Sequence, residues 1–300
     1  MKYTWIKEYS REFPIYLMCK VFNLHKSNYH RWAKHGSAYR RDDVLEEIIQ
    51  KEFHNSFQTY GRRRLRASLM NRIGLIVSRR KIQTTMKLLN LSTKTKKRFK
   101  VATTDSNHHY AISPNRLVRN FIVHQPNAVF VGDITDVPTA EGWLYLAVVL
   151  DLFSRKVVGW SMDEAMPATL VNNALSMAIK HRNPRAGLIW HTDRGSQYAS
   201  DSHRALLKQH GIIQSMSRKG DCWDNAVSES FFHTMKTELT HHVKFQTRRE
   251  AYEMIFKYIE VFYNRKRLHS SNGYLSPDDY ENKMKGALNK EKMLPAETAA

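Results

Sequence analysis

The stretch Ala128-Val129-Phe130-Val131-Gly132-Asp133-Ile134 opens the part of the chain that decides the fold. Trp143-Leu144-Tyr145-Leu146-Ala147-Val148-Val149-Leu150 follows, and then Lys156-Val157-Val158-Gly159-Trp160. Each run is short, rich in β-branched and aromatic residues, and bounded by polar turn residues, which predicts three hairpin-linked strands. Leu170, Ala174, Met177 and Ala178 then recur at helical spacing, and Leu188-Ile189-Trp190-His191-Thr192-Asp193 reads as another strand. Hairpins followed by a helical crossover and a further strand give an α/β domain, a mixed sheet flanked by helices.

A carboxylate among apolar strand residues is costly to bury unless something pairs with it, and a metal ion is one solution. Three acids stand out in these strands: Asp133, Asp151 and Asp193. Alternation puts Ile189, His191 and Asp193 on one face, where His191 can support whatever Asp193 binds. Further on, Asp224-Asn225 makes a good N-cap for a helix carrying Val227, Phe231, Phe232, Met235 and Leu239. Glu229 and Lys236 sit two turns apart along that helix, a placement suited to a metal and a phosphate held together. Each acid also has an ordinary structural use: a hairpin turn for Asp151, a strand-end cap for Asp193, a solvated helix face for Glu229.

Outward from these strands the composition is that of a globular chain of two or three domains, 300 residues with 42% hydrophobic. The charge is not ordinary: 48 Lys and Arg against 28 Asp and Glu give a formal +20. Residues 1–100 hold 24 of the basic and 7 of the acidic residues, and residues 101–300 carry a surplus of only 3. So uneven a split predicts a nucleic-acid-gripping part joined to a part with different chemistry, ahead of an anionic membrane or a merely basic protein. No stretch reaches the roughly 20 apolar residues of a membrane span. The N-terminus lacks a signal-peptide core. Cys19 and Cys222 are too few for a disulfide scaffold or thiolate zinc site, and the pairs His108-His109 and His241-His242 have no cysteine pair in zinc spacing. These features predict a reducing, intracellular setting.

Two helix-pair patterns occupy the basic third. In the first, Ile15, Leu17, Met18, Val21 and Phe22 form an apolar face, and Ser27 follows as N-cap of a helix through Tyr29, Arg31 and Trp32. The second begins at Tyr60-Gly61-Arg62-Arg63-Arg64, turns at Gly74, and resumes at Ser78 as cap of a helix with Arg79, Arg80, Lys81, Ile82, Met86 and Leu89. A helix, a short Gly turn and a helix with basic opening residues is what a helix-turn-helix needs to enter a major groove and hold phosphates. Two helical hairpins with solvated basic faces fit the same pattern. Lys94-Thr95-Lys96-Lys97-Arg98-Phe99-Lys100 reads as a basic linker able to track a phosphate backbone.

Taken together, several motifs resemble the IS-three family of bacterial insertion-sequence transposases. They are Phe130 to Thr135, Gly142 to Trp160, His191-Thr192-Asp193-Arg194-Gly195-Ser196-Gln197-Tyr198, Ser215 to Ala226, Glu229-Ser230-Phe231-Phe232 with Lys236, Phe262-Tyr263-Asn264 and Tyr274-Leu275-Ser276-Pro277. The spacing agrees: 59 residues separate the two aspartates, and 35 separate Asp193 from Glu229. Departures are small, such as Thr192 where Ser is more usual, and none touches a carboxylate. The resemblance covers residues 10 to 285 and implies a second-reading-frame (OrfB) product with an RNase H-like five-stranded mixed sheet.

That resemblance implies a plan: an N-terminal helix-turn-helix-like region over 1–58, a second helix-turn-helix with basic linker over 59–100, an integrase catalytic domain over 122–285, and a flexible tail over 286–300. It implies a D-D-E polynucleotidyl transferase in which Asp133, Asp193 and Glu229 bind two Mg²⁺ ions, with Mn²⁺ able to substitute, cleaving element ends and transferring the 3′-OH strand. Lys236, Arg62, Arg63, Arg79, Arg80 and Lys81 are the expected DNA contacts, and His191, Asp224 and Asn225 the supporting positions. Expected partners are double-stranded DNA, an upstream-frame (OrfA) protein joined by frameshifting, and further copies of the chain on DNA in the bacterial cytoplasm at the nucleoid; no membrane is involved. The rivals are an RNase H-like nuclease without strand transfer and a catalytically inactive DNA-binding regulator. A tyrosine recombinase is set aside, because His191-Thr192-Asp193-Arg194 has no tyrosine at a suitable distance beyond it.

Overall fold

A computed structural model of the chain describes residues 2–35, 42–94, 109–218 and 222–293. The predicted strands form as β1 (Val129–Thr139), β2 (Gly142–Asp151) and β3 (Val157–Asp163), joined by β4 (Ile189–Thr192) and β5 (Ile213–Met216). The sheet order is β3-β2-β1-β4-β5. The first three strands are antiparallel neighbours, whereas β4 runs parallel to β1 and β5 parallel to β4. Asp193 lies just past the end of β4 rather than within it.

The helices are α1 (Lys2–Glu8), α2 (Ile15–Val21), α3 (Lys26–His35), α4 (Asp43–Asn55), α5 (Arg62–Ser68), α6 (Arg79–Leu88), α7 (Ala168–Arg182), α8 (Ser196–Ala199), α9 (Asp201–Gln209), α10 (Ala226–Glu238), α11 (Arg248–Phe256) and α12 (Pro277–Met293). The crossover helix α7 presents Leu170, Val171, Ala174, Leu175 and Ala178, which bury completely against Phe130, Ala147, Val149, Val158 and Trp190. Burial of the valine and leucine side chains contributes about 1.5–3 kcal/mol each, so this face fixes the helix on the sheet. Gly159 sets how close α7 comes: a Cβ there would lie 2.2 Å from the Ala174 carbonyl oxygen. The helix ends at Asn183 in the left-handed region, after Lys180, His181 and Arg182 in its last turn. Against β1 pack α10 and α11.

The chain divides into two compact units, residues 1–50 and 51–300. In the first, α1, α2 and α3 enclose Ile6, Met18, Cys19 and Tyr29. Ser27 is the second residue of α3 rather than its cap, and its hydroxyl meets the His25 ring at 2.8 Å. The second helix pair belongs to the larger unit. There α5 continues as a wider π-helical turn, Leu69–Ile73, and closes on Gly74 in the left-handed conformation. Ser78 then caps α6 by accepting the Lys81 amide at 3.2 Å, as its sequence predicts.

The polar composition beyond Gly286 predicts no regular structure, yet α12 continues to Met293. Residues 95–100 of the predicted basic linker, His108, and residues 294–300 of the predicted tail lie outside the described residues. Among the described residues, no helix is long and apolar enough to cross a membrane.

Candidate active site

Parallel pairing of β1 with β4 brings the two aspartates together. Val131 is the register partner of His191, and two residues further along each chain come Asp133 and Asp193. Both line one cavity, with Ile134, Met166, Gly195, Gln197 and Tyr198. The Ile134 amide donates to Asp133 Oδ1 at 2.8 Å, and the Gly195 amide donates to Asp193 Oδ1 at 2.9 Å. Each carboxylate therefore has one oxygen fixed by the backbone. Beneath them, a Cβ on Gly132 would lie 2.1 Å from Trp190, so only glycine lets that buried indole pack against the strand.

Burial, and then the charge of Asp193, push the Asp133 carboxyl well above the usual carboxylate range. Glu229, in the first turn of α10, adds to that repulsion, and burial and Asp193 raise its own carboxyl. The three acids thus share one electrostatic neighbourhood. Glu229 is nevertheless exposed and outside the cavity lining, and among the described residues no three His, Cys, Asp or Glu side chains close around one point. Hard carboxylate oxygens that repel one another at a cavity suit a divalent cation such as Mg²⁺, whose charge would relieve the repulsion.

The other predicted residues occupy distinct places. His191 is fully buried, with Nδ1 at 2.8 Å from the Ser215 hydroxyl and Nε2 at 3.0 Å from the Asp224 carbonyl. It ties β4 to the turn that leads into α10, and burial lowers its pKa. Asp224 does not cap α10: its carboxylate instead accepts from Asn115 at 2.9 Å, from Arg119 Nε at 3.0 Å and from Arg218. Chiefly through Arg218, this grip holds the Asp224 carboxyl far below the usual range. Asn225 lies at the N-terminus of α10 without a capping hydrogen bond, donates weakly to the Gly132 carbonyl at 3.5 Å, and its Oδ1 has no partner among the described residues.

Lys236 pairs with Asp136 of β1 at 3.2 Å, a partner that the sequence reading misses although it stands only three residues beyond Asp133. Arg79 and Arg80 are exposed at the start of α6 and Lys81 is half-buried, while Arg62 bonds Gln83 and Arg63 is exposed. Asp151, the third strand acid, is fully buried and bonded to Arg182 at 2.9 Å and to the Asn127 and Phe153 amides, which makes it structural.

A five-stranded mixed sheet with two aspartates at one cavity agrees with the families that match, which define an integrase-type core. An integrase core domain matches residues 123–222, a second integrase core domain residues 229–284, and an HTH-like domain residues 40–99. In solved structures the chain is similar to one of the simian T-cell lymphotropic virus intasome in complex with the PP2A regulatory subunit B56 gamma, at 15% identity and TM-score 0.43, covering 74% of this chain and 69% of that one. It is also similar to the HTLV-2 integrase catalytic core domain in complex with magnesium, at 17% identity and TM-score 0.37, covering 52% and 95%. Sequence relatives are much nearer. An insertion element IS600 31 kDa protein of Shigella sonnei is 43% identical over 89% of this chain and 98% of its own length. Transposase InsF for insertion sequence IS3A of Escherichia coli K12 is 39% identical over 94% and 99%. The chain belongs to the IS3 family of insertion-sequence transposases.

Proposed function

We propose that this chain breaks DNA at the ends of an insertion element and joins the freed strands to new DNA, with Asp133, Asp193 and Glu229 as its catalytic carboxylates. The observation that carries the reading is the β1–β4 register, which sets Asp133 and Asp193 side by side at one cavity with Glu229 inside their field. The carboxylates would hold two Mg²⁺ ions, or Mn²⁺, and a cation pair there supplies Lewis-acid stabilisation of the attacking and leaving oxygens. In the first step water attacks the phosphodiester and a 3′-OH leaves. In the second that hydroxyl attacks another phosphodiester, exchanging one P–O bond for another without a covalent enzyme intermediate.

The chain's own part is positioning. The Ile134 and Gly195 amides hold the two aspartates in one orientation, so little reorganisation is left for the reaction. His191 and the Asp224 clamp, with Asn225 beside Gly132, steady the turn ahead of Glu229. Lys236 holds its ammonium toward β1 through Asp136 and would exchange that partner for a DNA phosphate near the cleaved bond. Arg62, Arg63, Arg79, Arg80 and Lys81 of the second helix pair would grip the end sequence, making 59–100 the recognition module, 1–58 a further helical DNA-binding region and 122–285 the catalytic module. The setting is the bacterial nucleoid, with an upstream-frame protein and further copies of the chain assembled on DNA.

The test is cleavage and joining of labelled duplex carrying the element's ends, with Mg²⁺ or Mn²⁺, for wild type and Asp193→Asn, alone and fused to the upstream frame. Metal-dependent joining that the substitution abolishes, by about 10³-fold or more, supports the proposal. Cleavage without joining indicates a nuclease. Specific binding with neither reaction, even from the fusion, indicates a DNA-binding regulator and refutes the mechanism.

A further inference from the structure

Tyr198 lines the same cavity, and among the described residues its hydroxyl has no hydrogen-bond partner. Its ring is buried, edge-on to Trp190 at 6.1 Å and to His203 at 5.7 Å between centroids. His203 is itself locked, accepting from the Trp190 indole N–H at 2.9 Å and facing Asn172 Oδ1 at 2.7 Å, so the ring's frame is rigid. The hydroxyl is buried, belongs to a residue lining the cavity of Asp133 and Asp193, and has no hydrogen-bond partner among the described residues. Leaving a buried hydroxyl unpaired costs stability, and such groups at an otherwise well-packed site mark a role met only when something else is bound. Phenylalanine would fill the same packing space without that cost.

From this geometry we infer that the Tyr198 hydroxyl is a positioning donor of the carboxylate site: it gives its hydrogen bond to an oxygen, of water or of a DNA phosphate, held between Asp133 and Asp193 when a divalent cation is present. The inference rests on the carboxylate reading above and extends it to a residue outside the three acids. Burial and the two nearby aspartates keep the phenol protonated, which suits a donor and not a ligand. A phosphate oxygen or a water held in that cavity keeps a lone pair free to accept from the hydroxyl, whereas the aspartates alone offer Tyr198 no bond. A single donor at a fixed angle would select which lone pair of that oxygen faces the tyrosine and so orient the rest of the bound molecule.

The experiment compares the full-length wild type with Tyr198→Phe, with Asp193→Asn as the site control. Melting is followed without metal, and Mn²⁺ is titrated by calorimetry, first alone and then with duplex carrying the element's end. Tyr198→Phe is expected to melt at the wild-type temperature or about 2–4 °C higher without metal, because an unpaired buried hydroxyl is gone. Its Mn²⁺ affinity is expected to fall about tenfold, the loss of one hydrogen bond to a charged site. A loss seen with Mn²⁺ alone identifies water as the acceptor, and a loss seen only with DNA identifies the phosphate oxygen. Unchanged affinity in both arms overturns the inference while leaving the carboxylate reading standing. A lower metal-free melting temperature also overturns it, since the hydroxyl would then have a structural partner. If wild type and Asp193→Asn alike bind no Mn²⁺, the carboxylate reading falls and this one with it.

Discussion

Replacing Arg182 by methionine tests whether Asp151 is structural. The guanidinium donates to Asp151 Oδ2 at 2.9 Å, to both oxygens of Glu281 at 2.8 Å, and to the Asn127 side chain at 2.7 Å. Asp151 and Glu281 are both buried, so Arg182→Met keeps the aliphatic bulk and takes away the one guanidinium bonded to both carboxylates, leaving only the more distant charges of Arg155 and Lys156. Removing one partner of a buried pair costs about 3–5 kcal/mol. At about 2–4 °C per kcal/mol for a unit of this size, the melting temperature should fall by roughly 6–20 °C.

The pH dependence carries the mechanism. Burial pushes the Glu281 carboxyl up, but hydrogen bonds and charge from Arg182 outweigh it and hold the group below its usual value. A depressed carboxylate stabilises the fold above its unfolded value near 4.3, and that contribution is lost as pH falls through the folded value. The gap between wild type and Arg182→Met should therefore narrow in acid. The variant's two buried carboxyls become neutral as pH falls toward their unfolded values near 4, and below about pH 4 the wild type loses the Glu281 contribution as well. Thermal melts by circular dichroism across that range read it directly. A variant that melts within a degree or two of wild type at neutral pH, or a gap that is constant with pH, would refute the reasoning.

Two further outcomes concern the site. Asp133→Asn should raise the metal-free melting temperature at neutral pH by a few degrees, about 1–2 kcal/mol, because a carboxyl pushed up by burial and Asp193 is costly to ionise in the folded state; the advantage should vanish below the unfolded value near 3.9, where the wild-type group is protonated in both states. An equal advantage at both extremes of pH would show that the charge is not its source. Gly132→Ala should lower stability by about 1–3 kcal/mol, since its Cβ must displace the buried Trp190; tryptophan fluorescence should report the moved ring, and an unchanged spectrum and melt would mean that the strand yields instead.

The sheet was legible because its information is local. Three apolar runs bounded by turn residues, a helix-spaced stretch and a further apolar run each declare themselves, and the mixed topology follows from their order. The pairing of Asp133 with Asp193 was legible only through family spacing, because the register that joins them is a contact between segments 60 positions apart. Asp151 shows the opposite limit: its setting in a strand resembles that of Asp133, and what separates them is Arg182 and Glu281, both distant in sequence. Asp224 followed the local rule for an N-cap, but three donors from elsewhere compete for its carboxylate and win. Tyr198 gave no signal at all, since an unpaired hydroxyl is visible only when its surroundings are known.

Glu238 ends the helix that begins near Glu229. Its carboxylate accepts from Arg267 at 2.8 Å and from Tyr258 at 2.8 Å, and Arg64 of α5 reaches it at 3.5 Å, while Lys94 bonds its carbonyl at 3.1 Å. The helix pair that would read DNA and the helix that carries Glu229 are therefore bolted to a common post. Modules joined this way do not behave as interchangeable cassettes. A chimera that grafts the recognition helices of one relative onto the core of another must carry residues at positions 64 and 94 that can still reach Glu238, or it loses the bonds that tie those helices to the core.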